Sequence, residues 1–536
     1  MGESQRKMES WGTRIGVIMA VMGSAVGLGN FLRFPGLAAQ YEGGAFMIPY
    51  FVAMLVLGLP IAWAEWAMGR FGGRCGYNSS PGIYRSISRS RIAGLFGVLG
   101  VLIPIIIFMY YIVIESWCLS YAWFYLSGKM AEVGAAARTG GALPDKAPYI
   151  ALFKQFTGSG ANGSLFSSGG AEALGFLAFC FTINLIIIYR GISKGIEKFC
   201  MWAMPALIIC ALIVLVRVLT LHDISSGLGF MWNARTPGAQ SFAHSLTNPR
   251  MWLAASGQIF FTLSVGFGII VTYASYLKPN DDIALSSLTS CAGNEFCEVA
   301  LGGMITIPAA FLFLGAQQVT EAAGSSFNLG FNTLPMIFES MRFGYIAGFA
   351  FFFLLFLAAI TSSLSMLQPA IALLEEGLGM NRKASVAMLG LITALGSGFV
   401  LYFSQGTIAL DTFDFWGGTL FIYVLATFQT ILFGWVMGIE RGMAEIDRGA
   451  EIRIPRVVGF MLKYISPTYL LIVLGFWLYN EITNPTDNRF RQIVESPAVA
   501  LSVGFIVVVF IFLVLLVSQS IKRWERMERR VGEVQV

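Results

Sequence analysis

The sequence predicts an all-α membrane protein with twelve transmembrane helices, arranged as a 5+5 inverted repeat in which helices 1 and 6 are discontinuous. Three observations support this fold class. The 536 residues are 56% hydrophobic and only 12% charged, with a mean hydropathy of +0.71, whereas soluble domains average about 25% charged residues. Twelve apolar runs are long enough to cross a bilayer, which takes about 20 residues per helix. Two of these runs carry glycine clusters at mid-depth.

The apolar runs have sharp ends and can be located directly along the chain. They lie at 13–37, 44–70, 92–126, 172–189, 196–220, 249–276, 284–314, 343–374, 384–403, 409–438, 457–479 and 496–520. The corresponding divisions are an N-terminal segment 1–12, a first repeat 13–220, a second repeat 221–438, two further spans within 439–520 and a tail 521–536. Because each repeat holds an odd number of spans, we expect the second to be inverted relative to the first.

Basic residues mark one side of the predicted membrane domain. They precede the first span, follow the second and the fourth, and fill the tail: Arg6, Lys7, Arg14, Arg70, Arg74, Arg85, Arg89, Arg91, Arg190, Lys194, Lys198, Lys522, Arg523, Arg526, Arg529 and Arg530. Positive charge favours the cytoplasmic side, so we expect a multi-pass protein of the cell membrane with both termini cytoplasmic. On the other side the loop 127–170 is the longest, and 317–340 is predicted to fold as a lid rather than as a span.

The first span contains a glycine cluster, Gly-Ser-Ala-Val-Gly-Leu-Gly-Asn, which runs from Gly23 to Asn30. Each glycine destabilises a helix by about 1 kcal/mol relative to alanine, so the cluster predicts a break in the middle of the membrane. Carbonyl groups freed by such a break must be satisfied by protein, ligand or ion. Helix packing through Gly23 and Gly27, with Asn30 as an interhelical hydrogen bond, is the alternative.

The sixth span repeats the pattern. Its Val-Gly-Phe-Gly at 265–268 matches the Val-Gly-Leu-Gly at 26–29. Two glycine-interrupted segments in corresponding halves of a membrane chain are the best sequence indication of the central binding site of a transporter. The second copy therefore favours a binding site at two breaks over packing alone.

Polar side chains deep in apolar spans are functional candidates. They are Glu65, Tyr110, Tyr111, Thr262, Ser264, Asn294, Glu298, Thr361, Ser362 and Ser363. Neutral oxygens suit a monovalent alkali ion, and they are supplied by the carbonyls freed around Gly23, Ala25 and Val26 together with Asn30, Thr262, Asn294, Thr361 and Ser362. The alternative for each Ser, Thr or Tyr is a structural hydrogen bond within its own bundle. Glu65 and Glu298 are more informative, because a carboxylate in the bilayer must be paired or neutral.

Other functional classes are disfavoured by the sequence. The net charge of +5 is spread over loops and gives no nucleic-acid signature. The sequence carries no EF-hand, His/Cys cluster or acidic box, so a divalent metal is not expected. The seven cysteines lie in or beside apolar spans or a basic loop and form no disulfide framework. No nucleophile–base pair points to an enzyme.

Four stretches carry a resemblance to a known family: 11–35, Glu-Trp-Ala-Met-Gly-Arg at 65–70, Gly-Ile-Ser-Lys-Gly-Ile-Glu at 191–197 and Gln-Ile-Phe-Phe-Thr-Leu-Ser at 258–264. Over nearly all twelve spans the sequence resembles the neurotransmitter:sodium symporter family, and within it bacterial amino-acid transporters of the leucine-transporter type. The resemblance implies an amino-acid substrate, Na⁺ at two sites and a lipid bilayer as the surroundings. The resemblance is also compatible with a homodimer.

The resemblance also assigns ligands to the two sodium sites. The first would use the carbonyl of Ala25, the side chains of Asn30, Thr262 and Asn294, and the carboxylate of the substrate. The second would use the carbonyls of Gly23, Val26 and Ala358 and the hydroxyls of Thr361 and Ser362. Direct contact between the first ion and the substrate would couple their movement.

For the substrate, the resemblance implies a carboxylate bound by Tyr111 and by amides near Gly29, at a half-helix N-terminus whose dipole favours an anion. The ammonium group would face Ser264 and the carbonyls of the two breaks. The side chain would lie among Ile107, Phe261, Phe267, Ser362 and Met366, and Ser24, Ala25 and Thr262 would complete the site. Ser24 replaces an asparagine common among close bacterial relatives, so the surroundings of the amino group differ here.

An outer gate is implied as well, in which Phe261 closes the site while Arg33 and Asp414 pair above it, directly or through water. Glu298 falls where chloride-dependent members carry a small hydroxyl residue. A carboxylate there implies no chloride requirement, and Glu298 and Glu65 are candidates for counter-transport of a proton.

At the cytoplasmic gate the resemblance implies a role for Glu376, and here the chain departs from the family pattern. Met8 stands where an arginine usually pairs with this acid. Either Arg6 or Lys7 substitutes for the arginine, or the gate is weaker.

From these observations we expect a chloride-independent symporter that couples sodium to a neutral, hydrophobic L-amino acid by alternating access. Two alternatives keep the same fold. One is a proton-coupled carrier that uses Glu65 or Glu298, and the other is an amino-acid-sensing receptor with little transport.

Overall fold

The computed structural model describes residues 9–41, 43–138, 144–167, 169–233, 242–483 and 488–534. Ten continuous helical segments in these ranges are long and apolar enough to cross a membrane: Gly43–Arg74, Arg91–Ser127, Ala171–Tyr189, Ile192–Leu219, Ile283–Ala323, Gly344–Leu378, Arg382–Tyr402, Gln405–Asp447, Arg456–Thr483 and Pro497–Met527. Two broken spans complete the set, Arg14–Ala25 with Gly29–Gln40 and Pro249–Thr262 with Ile269–Ala274. Within the described ranges these are the twelve predicted spans, and we number them one to twelve in chain order.

Shorter helices connect the spans. They are Ser80–Ser88, Lys129–Ala137, Ala147–Thr157, Ile224–Trp232, Phe242–Leu246, Leu334–Glu339 and Arg489–Glu495. The helix of span seven departs from helical geometry at Gly315 (φ 73°), next to the predicted end of that span. The segment 317–340 then folds as the end of this helix, the turns Asn328–Thr333 and the helix Leu334–Glu339, as expected for a segment that does not span.

Polar caps start several spans at the same membrane face. The side chain of Thr13 accepts a hydrogen bond from Gly16 N (3.0 Å), that of Asp282 from Leu285 N (3.0 Å) and that of Asn381 from Ala384 N (2.8 Å). Each cap satisfies an amide that the first helical turn leaves free. Spans one, seven and nine therefore begin with their free amides capped before the chain enters the membrane.

Two faces of the molecule can be distinguished by their contacts. On one face Arg14 pairs with Asp282 (3.0 Å) and Glu451 (2.6 Å), which joins the start of span one to the start of span seven and to the loop after span ten. Arg91 pairs with Glu525 of the tail on the same face. We call this the terminal face, and the opposite one, which carries the helix Leu334–Glu339, the lid face.

Span eight is the central element of the bundle. It packs along spans three and five and against the first half of span one, which also contacts spans five and seven. The second half of span six packs on span two. The two broken spans are thus held on all sides by continuous helices, so that their irregular backbone is buried in protein, as a membrane requires.

Candidate functional site

The first break lies at Val26, Gly27 and Leu28, as predicted. Val26 has an extended backbone (φ −72°, ψ 99°), and the two halves of span one meet at an angle of 50°. The amides that lose their helical partners are bonded to side chains instead. Gly27 N donates to Asn30 Oδ1 (2.8 Å), and Leu28 N donates to the hydroxyl of Tyr111 (3.2 Å). The break is therefore an ordered feature of the bundle.

The second break covers 263–268, where Ser264, Gly266 and Gly268 all have positive φ (54°, 79° and 82°). A Cβ atom built on Gly268 would lie 2.4 Å from the carbonyl oxygen of Gly100, so only glycine fits this position. Ser264 Oγ donates to the carbonyl of Ser24 (3.1 Å). The two predicted breaks are confirmed, and they face each other.

On one side of the breaks the structure brings together Asn30, Thr262, Asn294 and Glu298. Asn30 Nδ2 lies 2.8 Å from Asn294 Oδ1, 3.2 Å from Thr262 Oγ1 and 3.3 Å from Glu298 Oε2. Thr262 donates to Glu298, and Gln258 donates to the other carboxylate oxygen (2.6 Å). All five residues are buried. Three of them were predicted as ligands of the first ion, and they form one cluster.

A second cluster forms where the first half of span one ends, against span eight. Ser362 Oγ lies 3.3 Å from the carbonyl of Gly23, 3.4 Å from that of Val26 and 3.0 Å from that of Ala358. Thr361 Oγ1 lies 3.1 Å from the same Ala358 carbonyl. The five residues predicted for the second ion site thus meet at one point, and all of their candidate ligand atoms are neutral oxygens.

Between the two clusters lie serines from three helices. Ser24 Oγ and Ser365 Oγ are 2.7 Å apart, and Ser365 also donates to the carbonyl of Ser362 (2.7 Å). Ser24 therefore faces span eight. Ser264 joins this group through the Ser24 carbonyl, while Ala25 lies beside it and is buried.

Aromatic and aliphatic side chains surround the serines. The rings of Phe261 and Phe267 are 6.2 Å apart in an edge-on arrangement. A Cβ atom on Gly29 would lie 2.8 Å from the Phe261 ring, so the second half of span one approaches this ring closely. Ile107 and Met366 are buried and lie four residues from Tyr111 and Ser362, on the same faces of their helices. Four of the residues predicted to surround the side chain of the substrate are thus apolar: Ile107, Phe261, Phe267 and Met366.

At the predicted outer gate, Arg33 and Asp414 each contact an aromatic residue. Arg33 lies over the ring of Phe261, 4.8 Å from its centroid, and Asp414 accepts a hydrogen bond from Tyr110 (2.6 Å). In the described part of the chain no ion pair within 4 Å joins Arg33 to Asp414. A cavity of about 350 Å³, lined by both Arg33 and Phe261 and by the exposed Arg250, lies on the lid-face side. The cavity thus lies at the two residues, Arg33 and Phe261, that were predicted to form the outer gate.

The terminal face is closed. Trp11 is buried and its Nε1 donates to the carbonyl of Tyr273 (2.9 Å). Glu197 accepts hydrogen bonds from Gly12 N (2.8 Å) and Thr13 N (3.0 Å), which directly precede span one. Trp11 and Glu197 together hold the start of span one against spans five and six.

Glu376 accepts hydrogen bonds from Ser79 N and Ser79 Oγ, both at 2.9 Å. This acid of the expected cytoplasmic gate is thus bonded to the loop after span two. Its expected partners at positions 6–8 (Arg6, Lys7, Met8) lie outside the described residues.

Three further carboxyl groups lie within the membrane-spanning helices. Glu65 lies at the second break, where its Oε1 accepts from Gly266 N (3.0 Å). Glu295 accepts from Tyr50 (2.8 Å), next to Glu298 in span seven. Glu115 is fully buried in span three. The sequence signal for the last two was available, since each is an ionisable residue inside an apolar run.

Fold and site together define a class of protein. Two helices are broken in mid-membrane, and two clusters of oxygen atoms lie beside the breaks. These are the features of a secondary transporter with discontinuous helices. The chain is a multi-pass membrane transporter and not an enzyme.

Comparison with known proteins identifies the family. The chain belongs to the sodium:neurotransmitter symporter family, whose model matches residues 8–133 and 164–526. It is 26% identical over 537 residues to an uncharacterized sodium-dependent transporter of Methanocaldococcus jannaschii (97% of this chain, 100% of the relative). It is 30% identical over 392 residues to the uncharacterized sodium-dependent transporter YhdH of Bacillus subtilis (73% and 78%). Its transport is thus of the sodium-coupled kind.

A solved structure gives the same answer for the fold. The chain is similar to MhsT, whose crystal structure was determined in complex with L-phenylalanine, with a TM-score of 0.72 and 28% sequence identity over 87% of this chain and 98% of that one. The predicted fold class is confirmed.

Proposed function

We propose that this protein is a chloride-independent symporter that couples Na⁺ to the uptake of neutral, hydrophobic L-amino acids by alternating access. One observation carries the proposal: two clusters of oxygen ligands lie on either side of two facing helix breaks. The Ser264–Ser24 hydrogen bond joins these breaks, so an ion on either side would stabilise the backbone that forms the pocket. With the terminal face cytoplasmic, as its positive charge indicates, the cavity beside Arg33 and Phe261 faces outward.

The first ion would bind at the Ala25 carbonyl, Asn30, Thr262, Asn294 and the carboxylate of the substrate. In the present conformation the oxygen of Asn30 accepts from Gly27 N (2.8 Å), while its nitrogen faces Asn294. A half-turn of the Asn30 amide would present the oxygen to the ion and release the Gly27 amide to an anion. Sodium and the substrate carboxylate would then favour each other's binding.

The second ion would bind at the carbonyls of Gly23, Val26 and Ala358 and the hydroxyls of Thr361 and Ser362. These atoms belong to spans one and eight only, so this ion would hold the first half of span one against span eight. Its departure toward the cytoplasm would allow this half-helix to move. At 100 mV each Na⁺ that enters contributes about 2.3 kcal/mol in addition to its concentration gradient.

The substrate would bind with its carboxylate near Tyr111 and the amides preceding Gly29, and with its ammonium group at the carbonyls around Ser24 and Ser264. The pocket walls named above are apolar, so a charged side chain would have no partner there. The bound L-phenylalanine named for MhsT supports an aliphatic or aromatic amino acid. Met366 can adapt to several shapes, which favours a range of substrates over a single one.

Chloride independence is proposed from Glu298. Its two oxygens accept from Gln258 (2.6 Å) and Thr262, so the donors that would hold an anion already hold a carboxylate of this chain. A negative charge fixed in the protein makes a bound chloride unnecessary for charge balance beside the first ion.

Uptake by the purified protein in proteoliposomes tests the proposal. Vesicles loaded with potassium gluconate are diluted into sodium gluconate with labelled L-phenylalanine or L-leucine, and each of the twenty amino acids is used as competitor. We expect accumulation that requires inward sodium, needs no chloride and is inhibited by hydrophobic neutral amino acids. Accumulation driven by a proton gradient without sodium would contradict the proposal, as would saturable binding without accumulation.

A further inference from the structure

A second buried carboxyl group lies behind the proposed site, at the contact of spans three, four and eight. Glu115 Oε1 accepts from Asn184 Nδ2 (2.9 Å), and Glu115 Oε2 lies 2.7 Å from Ser363 Oγ. Ser363 Oγ also lies 2.8 Å from Asn184 Oδ1. All three side chains are fully buried. We call this group the Glu115 triad.

The triad has more acceptors than one hydroxyl can serve. Ser363 Oγ is within hydrogen-bond distance of Glu115 Oε2, Asn184 Oδ1 and the carbonyl of Ile360 (3.0 Å), yet it has a single proton. If Glu115 carries a proton on Oε2, the acid donates to Ser363, and Ser363 is free to donate to Asn184. The contacts of Ser363 with Glu115 and with Asn184 are then both hydrogen bonds with a proton between the two oxygens.

Turning the Asn184 amide over does not change this count. Its oxygen would then face Glu115 Oε1 (2.9 Å) and the carbonyl of Cys180 (3.0 Å). The carbonyl is always an acceptor, and Glu115 Oε1 can donate only if Glu115 is protonated. No lysine, arginine or histidine in the described ranges compensates a charge at Glu115, and an uncompensated buried carboxylate is strongly unfavourable. Both considerations lead to a neutral acid.

The triad adjoins the second oxygen cluster through the chain itself. Ser363 directly follows Thr361 and Ser362, and Glu115 lies one helical turn beyond Tyr111 on the same face of span three. Without Glu115, the Ser363 hydroxyl would have only Asn184 and its own helix as partners. The acid therefore determines how this turn of span eight sits against span three.

We propose that Glu115 is a neutral carboxylic acid and a positioning residue, which holds the turn of span eight that carries Thr361 and Ser362 in the register needed to bind the second Na⁺. The inference rests on the proposed assignment of these two hydroxyls as sodium ligands. Glu115 itself does not touch the ion or the substrate.

The test is a sodium titration of substrate binding, by scintillation proximity with labelled L-leucine, on purified variants that elute as folded protein in size-exclusion chromatography. Glu115→Gln keeps the hydrogen bonds of a neutral acid, because the glutamine amide can donate to Ser363 and accept from Asn184. We expect its half-saturating sodium concentration to stay within about twofold of the wild type, whereas Glu115→Ala and Ser363→Ala raise it about fivefold to tenfold, the effect of one lost hydrogen bond. Affinity for L-leucine at saturating sodium should change much less.

Ser397→Ala is the matched control. Ser397 is also a buried serine that packs on span three, where it donates to the carbonyl of Met109 (2.7 Å), but it lies on span nine, away from the ion ligands. Its removal should leave the sodium dependence unchanged. If it raises the half-saturating concentration as much as Ser363→Ala does, a general loss of packing explains both and the proposal is overturned.

Two further results would overturn the inference. If Glu115→Gln raises the half-saturating sodium concentration as much as Glu115→Ala does, the negative charge of Glu115 is needed. If Ser363→Ala leaves this concentration unchanged, the triad does not position the sodium ligands. If Glu115→Ala does not fold, Glu115→Gln and Ser363→Ala decide the question. Thr361→Ala distinguishes failure of the proposed sodium site from failure of this inference. If the half-saturating sodium concentration of Thr361→Ala is unchanged, both the proposed ion site and the inference are wrong. If it is raised in Thr361→Ala but unchanged in Ser363→Ala, only the inference is wrong.

Discussion

The carboxylate of Glu65 accepts a hydrogen bond from the backbone nitrogen of Gly266 at 3.0 Å. Glu65 is fully buried in span two, and Gly266 lies at the second break with φ 79°. An amide that has left its helix inside a membrane needs an acceptor, and here a neighbouring span supplies it. The break in span six is thus stabilised by a side chain from outside the two broken helices.

Glu65→Ala should destabilise the protein, because it leaves the Gly266 amide buried without a partner. The expected cost is about 1–3 kcal/mol, read as a lower melting temperature of the protein in detergent with sodium and leucine. Glu65→Gln is the control, since its side-chain oxygen can still accept from Gly266. Equal melting temperatures for the two variants would show that the hydrogen bond contributes nothing.

Glu298→Ser should make uptake depend on chloride. The substitution removes a carboxylate and leaves the donors Gln258 and Thr262 facing space that suits an anion. Sodium-driven uptake by Glu298→Ser should be low in gluconate and recover in chloride. Uptake by the wild type should be the same in the two anions. Glu295→Gln removes the neighbouring carboxylate but keeps Glu298, so it should stay independent of chloride. A chloride effect in both variants would contradict this explanation.

Asp414→Asn should slow transport without weakening substrate binding. For the outer gate to close by pairing, Asp414 must leave Tyr110 and approach Arg33, and the uncharged variant gains less from that exchange. We expect the turnover rate to fall about tenfold, the value of a hydrogen bond to a charged group, with the binding affinity for leucine unchanged. Tyr110→Phe frees Asp414 and should not slow turnover. Equal losses in the two variants would argue against the exchange.

Met366→Ala should shift selectivity toward larger side chains, because it removes volume from the apolar end of the pocket. Relative to L-valine, L-tryptophan should compete for uptake about tenfold better than in the wild type. Met109→Ala serves as the control, because Met109 packs against Gly396 of span nine instead. If the preference order of Met366→Ala is the same as that of the wild type, the proposed position of the substrate side chain is wrong.

Much of the fold could be predicted because the membrane leaves few choices. Apolar runs of sufficient length must be helices. A helix loses the least free energy when it is interrupted at glycines, which cluster at 23–29 and 266–268. The same reasoning singled out Asn30, Asn294 and Thr262, because polar groups at that depth need partners. The structure brings these three together.

What the sequence does not contain is the identity of distant partners. Nothing near Glu65 in the chain indicates that it accepts from Gly266, 201 residues away, and Asn184 gives no sign of contact with Glu115. The sequence likewise does not mark the contacts of Arg33 with the ring of Phe261 and of Asp414 with the hydroxyl of Tyr110.

The central claim is that sodium binds where the two breaks meet, and Asn30→Ala tests it most directly. Leucine uptake into proteoliposomes should be measured at increasing external sodium for the wild type, Asn30→Ala and the control Ser397→Ala. The account predicts saturable stimulation by sodium in the wild type and the control, and its loss in folded Asn30→Ala at sodium concentrations that saturate the wild type. Stimulation of Asn30→Ala indistinguishable from the wild type would contradict it.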